Sequence, residues 1–358
     1  MNDDCLKLTT YFGERDRADG GFLADAFTNI YARHELRTSL LIRGVEGFGM
    51  RHHLRTDRLL TLSEDLPLVS TAVDTRTRVE SALSDINLLP FHGLITLERA
   101  RMLTGPRIER VELPLEATDA AKLTAYVGRR ERVGARPAYE ALVARLHAGG
   151  VDGASVLLGI DGTAHGVRQR ARFFGRNAQV PVMVIAVGDG RRIAELAPEL
   201  GAMLTAPLIT LERVRVCKRD GRLLRQPHHL PETDPSGLGI WQKLMVHSGE
   251  QSRHHGRPLH HQLIRRLREA GASGATTLRG IWGYHGDHPP HGDGFFQLQR
   301  RVPLVTVIID TPARTRDWFA IVDELTDETG LVTSETVPAA RFTGPDLARG
   351  GLALAQRG

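Results

Sequence analysis

An α+β chain of three tandem ferredoxin-like units, each running βαββαβ and together closing as an intrachain pseudo-trimer, is the architecture this sequence predicts. Three observations carry it. Lys7-Leu8, Lys122-Leu123 and Lys243-Leu244 each precede a glycine, Gly44, Gly159 or Gly280, by the same interval of 37 residues. A proline follows that glycine by 22 or 23 residues, at Pro67, Pro181 and Pro303, and each opens an apolar run. Beyond the first two prolines stand Ile95-Thr96-Leu97-Glu98-Arg99 and Ile209-Thr210-Leu211-Glu212-Arg213, with Val332-Thr333-Ser334-Glu335 as a looser third copy. A repeat of about 115 to 121 residues is too long for a solenoid unit and suits a whole small domain.

The elements follow in order within each copy. Residues 6–12 alternate apolar and polar among β-formers, the pattern of a half-buried strand. Phe22, Leu23, Ala26, Phe27, Ile30 and Tyr31 recur at helical spacing, as do Tyr139, Leu142, Val143 and Leu146, and Leu259, Leu263, Ile264 and Leu267. A second strand over 38–43 leads into the glycine pair. Stretches 50–65, 163–179 and 284–301 lack a period and read as long projecting loops. The apolar run after each proline is a third strand, ending at Asp74, Asp189 or Asp310, which are expected to cap the following helices over 76–87, 191–203 and 314–328. Fourth strands cover 93–102, 208–216 and 330–337. The predicted division is 5–103, 121–217 and 241–341, joined by Pro- and Gly-containing linkers 104–120 and 218–240, with a frayed tail over 342–358.

Composition excludes more than it assigns. The chain has 41% hydrophobic and 25% charged residues and a formal charge of +5, an ordinary soluble balance that does not argue for nucleic acid. Cys5 and Cys217 lack partners at metal-ligand spacing, and no apolar stretch resembles a leader or a membrane span, so a reducing, cytoplasmic setting is expected. No Gly-x-Ser-x-Gly elbow, phosphate-binding loop or catalytic cysteine setting occurs, so the chain is not expected to be an enzyme.

The segment Val45-Glu46-Gly47-Phe48-Gly49, following a strand and preceding a long loop, resembles the Gly-Phe-Gly turn at the base of the T-loop in PII signal-transduction proteins. Residues 44–65, with Leu62-Ser63-Glu64-Asp65-Leu66-Pro67, resemble more closely the PII-like family known as domain of unknown function 190. The resemblance spans 6–103 and, through the shared register, 121–217 and 242–341. It implies PII-like units with ligand sites in the clefts between them, an adenine nucleotide (ATP, ADP or AMP) as effector, and T-loop-like flaps that signal to a protein partner such as a membrane transporter or channel. One polypeptide would make the whole trimer, as a monomer. The resemblance also implies phosphate contact from last-strand arginines, here Arg99 and Arg101, and Arg213 and Arg215, while the third copy carries Thr336-Val337-Pro338. The sequence departs from the PII pattern after the turn, where Met50-Arg51 stands.

The ligand-binding candidates are therefore Arg43, Gly44, Gly47, Phe48, Gly49 and Arg51, Arg99 and Arg101, Gly159 and Gly162, Arg213 and Arg215, and Gly280 and Gly283. Chemistry alone leaves two readings of the glycines, a cradle of backbone N–H groups for an anion or a tight turn at a strand exit. Arg99 and Arg101, two apart, share one side of their strand and suit either phosphate contact or a solvated basic edge. The first copy, with Arg43, Arg51, His52, His53 and Arg55 near its turn, is the favoured contributor. Divergence among the copies predicts non-equivalent clefts.

Histidines concentrate in the third copy: His254, His255, His260 and His261, then His285, His288 and His291 with Asp287 and Asp293. A solvated, pH-sensitive loop is preferred over a metal site, because adjacent histidines diverge on a helix. A divalent-metal binder similar to the CutA branch of the same fold, and a weak nucleotide hydrolase, are the alternative functions.

Overall fold

The computed structural model describes residues 5–50, 53–56, 65–105, 108, 120–164, 167–168, 180–285, 289–292, 302–344 and 348–356. The first repeat comprises β1 (Cys5–Gly13), α1 (Leu23–Arg33), β2 (Thr38–Phe48), β3 (Pro67–Thr75), α2 (Arg76–Ile86) and β4 (Gly93–Thr104). The second comprises β5 (Ala120–Gly128), α3 (Ala138–Ala148), β6 (Gly153–Leu158), β7 (Asp161–Ala164), β8 (Pro181–Asp189), α4 (Gly190–Ala202) and β9 (Leu208–Arg219). The third comprises β10 (Trp241–Gly249), α5 (Leu259–Glu269), β11 (Ala275–His285), β12 (Pro303–Asp310), α6 (Pro312–Leu325) and β13 (Leu331–Val337), followed by β14 (Ala339–Thr343) and β15 (Ala348–Gly351).

The predicted apolar stripes become the buried faces of the helices. Leu23, Phe27, Ile30 and Tyr31 of α1 face the sheet, as do Leu259, Leu263, Ile264 and Leu267 of α5. Of the three expected aspartate caps only Asp189 forms, its carboxylate accepting from the Arg192 N–H at 3.0 Å. Asp74 turns instead to the Arg37 N–H at 2.9 Å, and Asp310 accepts from Ser273 Oγ at 2.9 Å and Trp318 Nε1 at 3.1 Å. Both carboxylates tie the last strand before a helix to the neighbouring loop, a bond a helix end alone does not offer.

Three tandem ferredoxin-like βαββαβ domains, each a PII-like unit with a sheet of its own, are not what the chain builds. The strands belong to one mostly antiparallel 19-stranded system. Within it β1, β3, β2, β11, β6, β8, β5, β9 and β4 pair in turn and return to β1, a closed 9-strand barrel that runs through all three repeats, with the 6 helices of the described residues outside. The physical reason lies at the edges. A four-stranded sheet left alone would expose unpaired N–H and C=O groups along both edges. Here β2 pairs with β11 and β7, β4 with β9 and β14, and β9 with β13, so each repeat completes its neighbours.

The glycines expected to form turns sit at these crossings. Gly44 and Gly47 lie within β2, Gly162 in β7, and Gly280 and Gly283 in β11, with Gly159 just before β7. A Cβ on Gly162 would stand 2.2 Å from the Ser39 carbonyl oxygen of the first repeat. One on Gly283 would stand 2.2 Å from the Ala154 oxygen of the second. The missing side chains let one backbone approach another, so the turn expectation is corrected to close strand packing. Gly162→Ala should destabilise the chain by about 1–3 kcal/mol, the usual cost of overpacking, and urea unfolding measures it. Wild-type stability in that variant would mean that the junction opens at no cost.

The described part of the tail does not fray either. β14 continues from β13 onto β4, β15 folds back on β14, and Ala355 is buried, its N–H donating to the Pro338 oxygen at 2.9 Å.

Three apolar cores lie between helices and strands, one per repeat. A fourth is shared. Cys5, Val69, Tyr126, Met183, Met245 and Val307, drawn from all three repeats, meet on the faces turned away from the helices. At its centre Lys7, Lys122 and Lys243 alternate with Glu98, Glu212 and Glu335. Lys7 lies 2.5 Å from Glu212 and 3.3 Å from Glu98, Lys122 lies 2.8 Å from Glu212, and Lys243 lies 2.8 Å from Glu335. Lys122 with Glu335 and Lys243 with Glu98 complete a closed ring of ion pairs. Strand register explains half of it, since Lys7 faces Glu98, Lys122 faces Glu212 and Lys243 faces Glu335 across paired strands. The other contacts join each repeat to the next. Burial disfavours charge on Glu98 and Glu335, but the flanking ammonium groups outweigh it, holding Glu98 well below the usual carboxylate range and Glu335 at about 2.

Candidate functional site in the cleft between the first and third repeats

The last residues of β2 leave their own repeat and pair with β11, so that Phe48 lies opposite Ala275 and Gly47 opposite Thr276. This crossing opens a cleft of about 500 Å³ between the two repeats. Its apolar wall is made by Tyr11 and Phe12 at the end of β1, Phe48 and Met50, Leu94 of β4, Val307 and Ile309 of β12, and Phe342 of β14. Its polar side carries Asp16, His53, Arg55, Asp65 and His92. The volume is within the roughly 300–1,000 Å³ common for small-molecule sites, and an apolar wall with a few convergent polar groups is their usual composition.

Arg55 organises the polar side. Its Nε donates to Asp65 at 2.8 Å, and its guanidinium lies 3.8 Å from Asp16. Asp65 also accepts from the Arg15 N–H at 3.0 Å, and Asp16 from the Gly13 N–H at 2.7 Å. Burial raises the Asp16 carboxyl above its ordinary range, against the opposing pull of the Gly13 N–H and Arg55. Gly13 makes room for the cation, because a Cβ there would stand 2.5 Å from the guanidinium. An anion entering the cleft would find Arg55 already oriented and would exchange with Asp65 as its partner.

Of the residues singled out from the sequence, Phe48 and Gly49 line this cleft, and Arg51 lies outside the described residues. Arg43 is exposed and paired with Glu14 at 2.6 Å. Arg99 does not reach the cleft; its guanidinium donates to the Ala355 oxygen at 2.8 Å and so fastens the tail. Arg101 follows it on β4, and Arg213 stands on β9 with Arg215, which donates to the Gln226 oxygen at 3.4 Å. Gly44, Gly47, Gly159, Gly162, Gly280 and Gly283 serve the strand junctions already described. Sequence reasoning placed Arg55 near the turn and Asp65 in the family-like segment without assigning either a site, and overlooked Asp16, His92 and Phe342. A basic run after Gly49 was the available signal for Arg55; nothing local marks Phe342, which arrives from more than 280 residues away.

A profile of the DUF190 family, described as Uncharacterized ACR, matches residues 5–102, 120–216 and 241–339. The chain belongs to the DUF190 family. The three DUF190 matches begin within one residue of β1, β5 and β10, so the family unit is the repeat. A UPF0166 protein of Aquifex aeolicus (strain VF5) is 30% identical over 94 residues, which is 26% of this DUF190 chain and 88% of that protein. That relative is therefore matched by a single repeat. An aspartate kinase from Synechocystis aligns with a TM-score of 0.26 at 11% identity, over 94% of this chain and 52% of that one. The DUF190 chain spans about half the length of the kinase, and a likeness this slight carries no argument about fold or activity. Among the described residues no helix is long and apolar enough to cross a membrane.

Proposed function

We propose that this DUF190 chain is a non-catalytic sensor whose cleft between the first and third repeats takes a small ligand with a flat apolar ring and an anionic group. An adenine nucleotide is the first candidate. The observation that carries the reading is the cleft itself, in which an aromatic and aliphatic wall faces Arg55, a cation held among the described residues by exchangeable carboxylates. Its position supports the sensing role, because it lies at the end of β2, the strand leading into the loop to which the PII resemblance assigns partner contact. No step in this reading needs a catalytic group or a cofactor.

Isothermal titration of AMP, ADP and ATP into the purified chain tests it. Loss of a charge-assisted pair should weaken binding about tenfold or more in Arg55→Ala. Arg99→Ala, which removes a bond to the tail outside the cleft, should bind as the wild type does. Equal affinity in Arg55→Ala and wild type, or loss in Arg99→Ala alone, would move the site to the last-strand arginines and sink the cleft assignment.

A further inference from the structure

The crossing that forms the cleft also buries a second group of residues, on the side of β2 that faces α5. Glu46 precedes Phe48 by two positions on β2 and so points the same way, toward the first turn of α5 in the third repeat. There it meets His260 and His261. One ligand atom from each of Glu46, His260 and His261 lies within 4.8 Å of the other two. Successive residues of a helix diverge by about 100°, yet the two imidazole centroids are only 3.9 Å apart, at an interplanar angle of 42°.

The surroundings ask for positive charge. The Glu46 side chain is 7% exposed, and the group recorded against its carboxylate among the described residues is one imidazole, His261 through Nδ1. His261 Nε2 is buried and has no hydrogen-bond partner among the described residues. A buried nitrogen left in that state is uncommon in folded proteins. A carboxylate oriented on one nitrogen of an imidazole, with the other nitrogen open, is how metal-ligating histidines are often held.

We infer that Glu46, His260 and His261 form a divalent-cation site joining the first repeat to the third. Two nitrogen donors and one carboxylate select a borderline ion of the Zn²⁺ type over Mg²⁺ or Ca²⁺, which prefer all-oxygen shells. Tetrahedral donors on Zn²⁺ lie about 3.4 Å apart, so atoms now within 4.8 Å need only side-chain rotation to converge. Two arrangements fit the same three residues. Glu46 can ligate directly, the ion displacing the proton it shares with His261, or it can stay on Nδ1 while Nε2 takes the metal. A fourth position is left for water in the first case. Nothing in the cleft proposal is needed for this site.

The test uses the full chain, stripped with a chelator and titrated with Zn²⁺ alone and with Co²⁺ alone. One equivalent should bind, the Co²⁺ form should show the intense visible bands of a tetrahedral nitrogen–oxygen set, and the melting temperature should rise, because the ion binds only where both repeats are assembled. His261→Ala and the isosteric Glu46→Gln should each weaken binding by about 10–100-fold or more, while Arg55→Ala keeps it. Circular dichroism confirms the fold of each variant, and the Co²⁺ spectrum of the wild type reads the ligand set without any variant. No stoichiometric uptake by the wild type, an octahedral Co²⁺ spectrum, or undiminished binding in both His261→Ala and Glu46→Gln would overturn the proposal.

Discussion

Replacing Lys122 by Met should cost about 3–5 kcal/mol of stability, the usual effect of removing one partner from a buried ion pair. Lys122 is only 2% exposed and stands between Glu212 and Glu335. Without it, two carboxylates remain in the shared core with one ammonium neighbour each, Lys7 for Glu212 and Lys243 for Glu335. The desolvation of the acids persists while half of their compensation is gone. Urea unfolding of wild type and variant measures the loss. Adding Glu212→Gln to Lys122→Met leaves a neutral row of Lys7, Glu98, Lys243 and Glu335, so the double variant should be more stable than the sum of the two single losses predicts. Strict additivity would show that the six groups do not act as a ring. If all six were made apolar at matched volume, stability should stay level or rise, since buried ion pairs seldom outperform good packing. The hypothesis that follows is that the ring sets which strand of one repeat meets which strand of the next; an apolar-core variant that keeps a unique fold and the wild type's elution volume would argue against it.

Acidification should destabilise the chain in two separable steps. His247, in β10, is buried beside the ring, and burial first, with the Lys122 ammonium and His285 adding to it, lowers its pKa to about 4 from an ordinary 6.5. Glu335 pulls the other way, more strongly than Lys122 or His285 alone adds to the lowering, but burial prevails. Between those values the unfolded chain takes up a proton that the folded chain refuses, so stability falls as pH drops from about 6.5 to about 4. The loss is on the order of 3 kcal/mol when fully developed. Below about 4.5 the carboxylates add a second loss. Glu335 remains ionised in the fold down to about 2, whereas the unfolded chain protonates it near its ordinary value. The stability that this acid contributes is present above about 4.5 and disappears as pH falls toward 2. Unfolding free energies across this range should lose the upper limb in His247→Asn and soften the lower limb in Lys122→Met. An unchanged upper limb in His247→Asn would assign the step to some other histidine.

Much of this could be read without coordinates. The triplicate register marks the lysine of every first strand and the glutamate of every last strand, and the apolar spacings locate the sheet-facing sides of all three first helices. What could not be read was that Lys7, Lys122 and Lys243 meet Glu98, Glu212 and Glu335. Along a strand, a lysine or glutamate between apolar neighbours looks like a residue of the solvated face, and only the closing of the barrel puts that face inside. The cleft was legible in part. Phe48 and Gly49 were marked by the motif, whereas Arg99, one of the arginines expected to contact phosphate, bonds the backbone of the tail at Ala355. Neighbours on a helix diverge, and nothing near His260 and His261 in the sequence shows that Glu46 of another repeat reaches the same place.

The amino-acid order by itself determined the number of repeats, the type and place of their long elements, and the family to which each copy belongs, because periodicity and spacing are local properties of the chain. The tertiary structure alone decided that these copies share strands instead of standing as separate domains, and with that the ion-pair ring, the cleft and the Glu46–histidine group. All three form between segments far apart in sequence, where backbone edges seeking hydrogen-bond partners find them in another repeat.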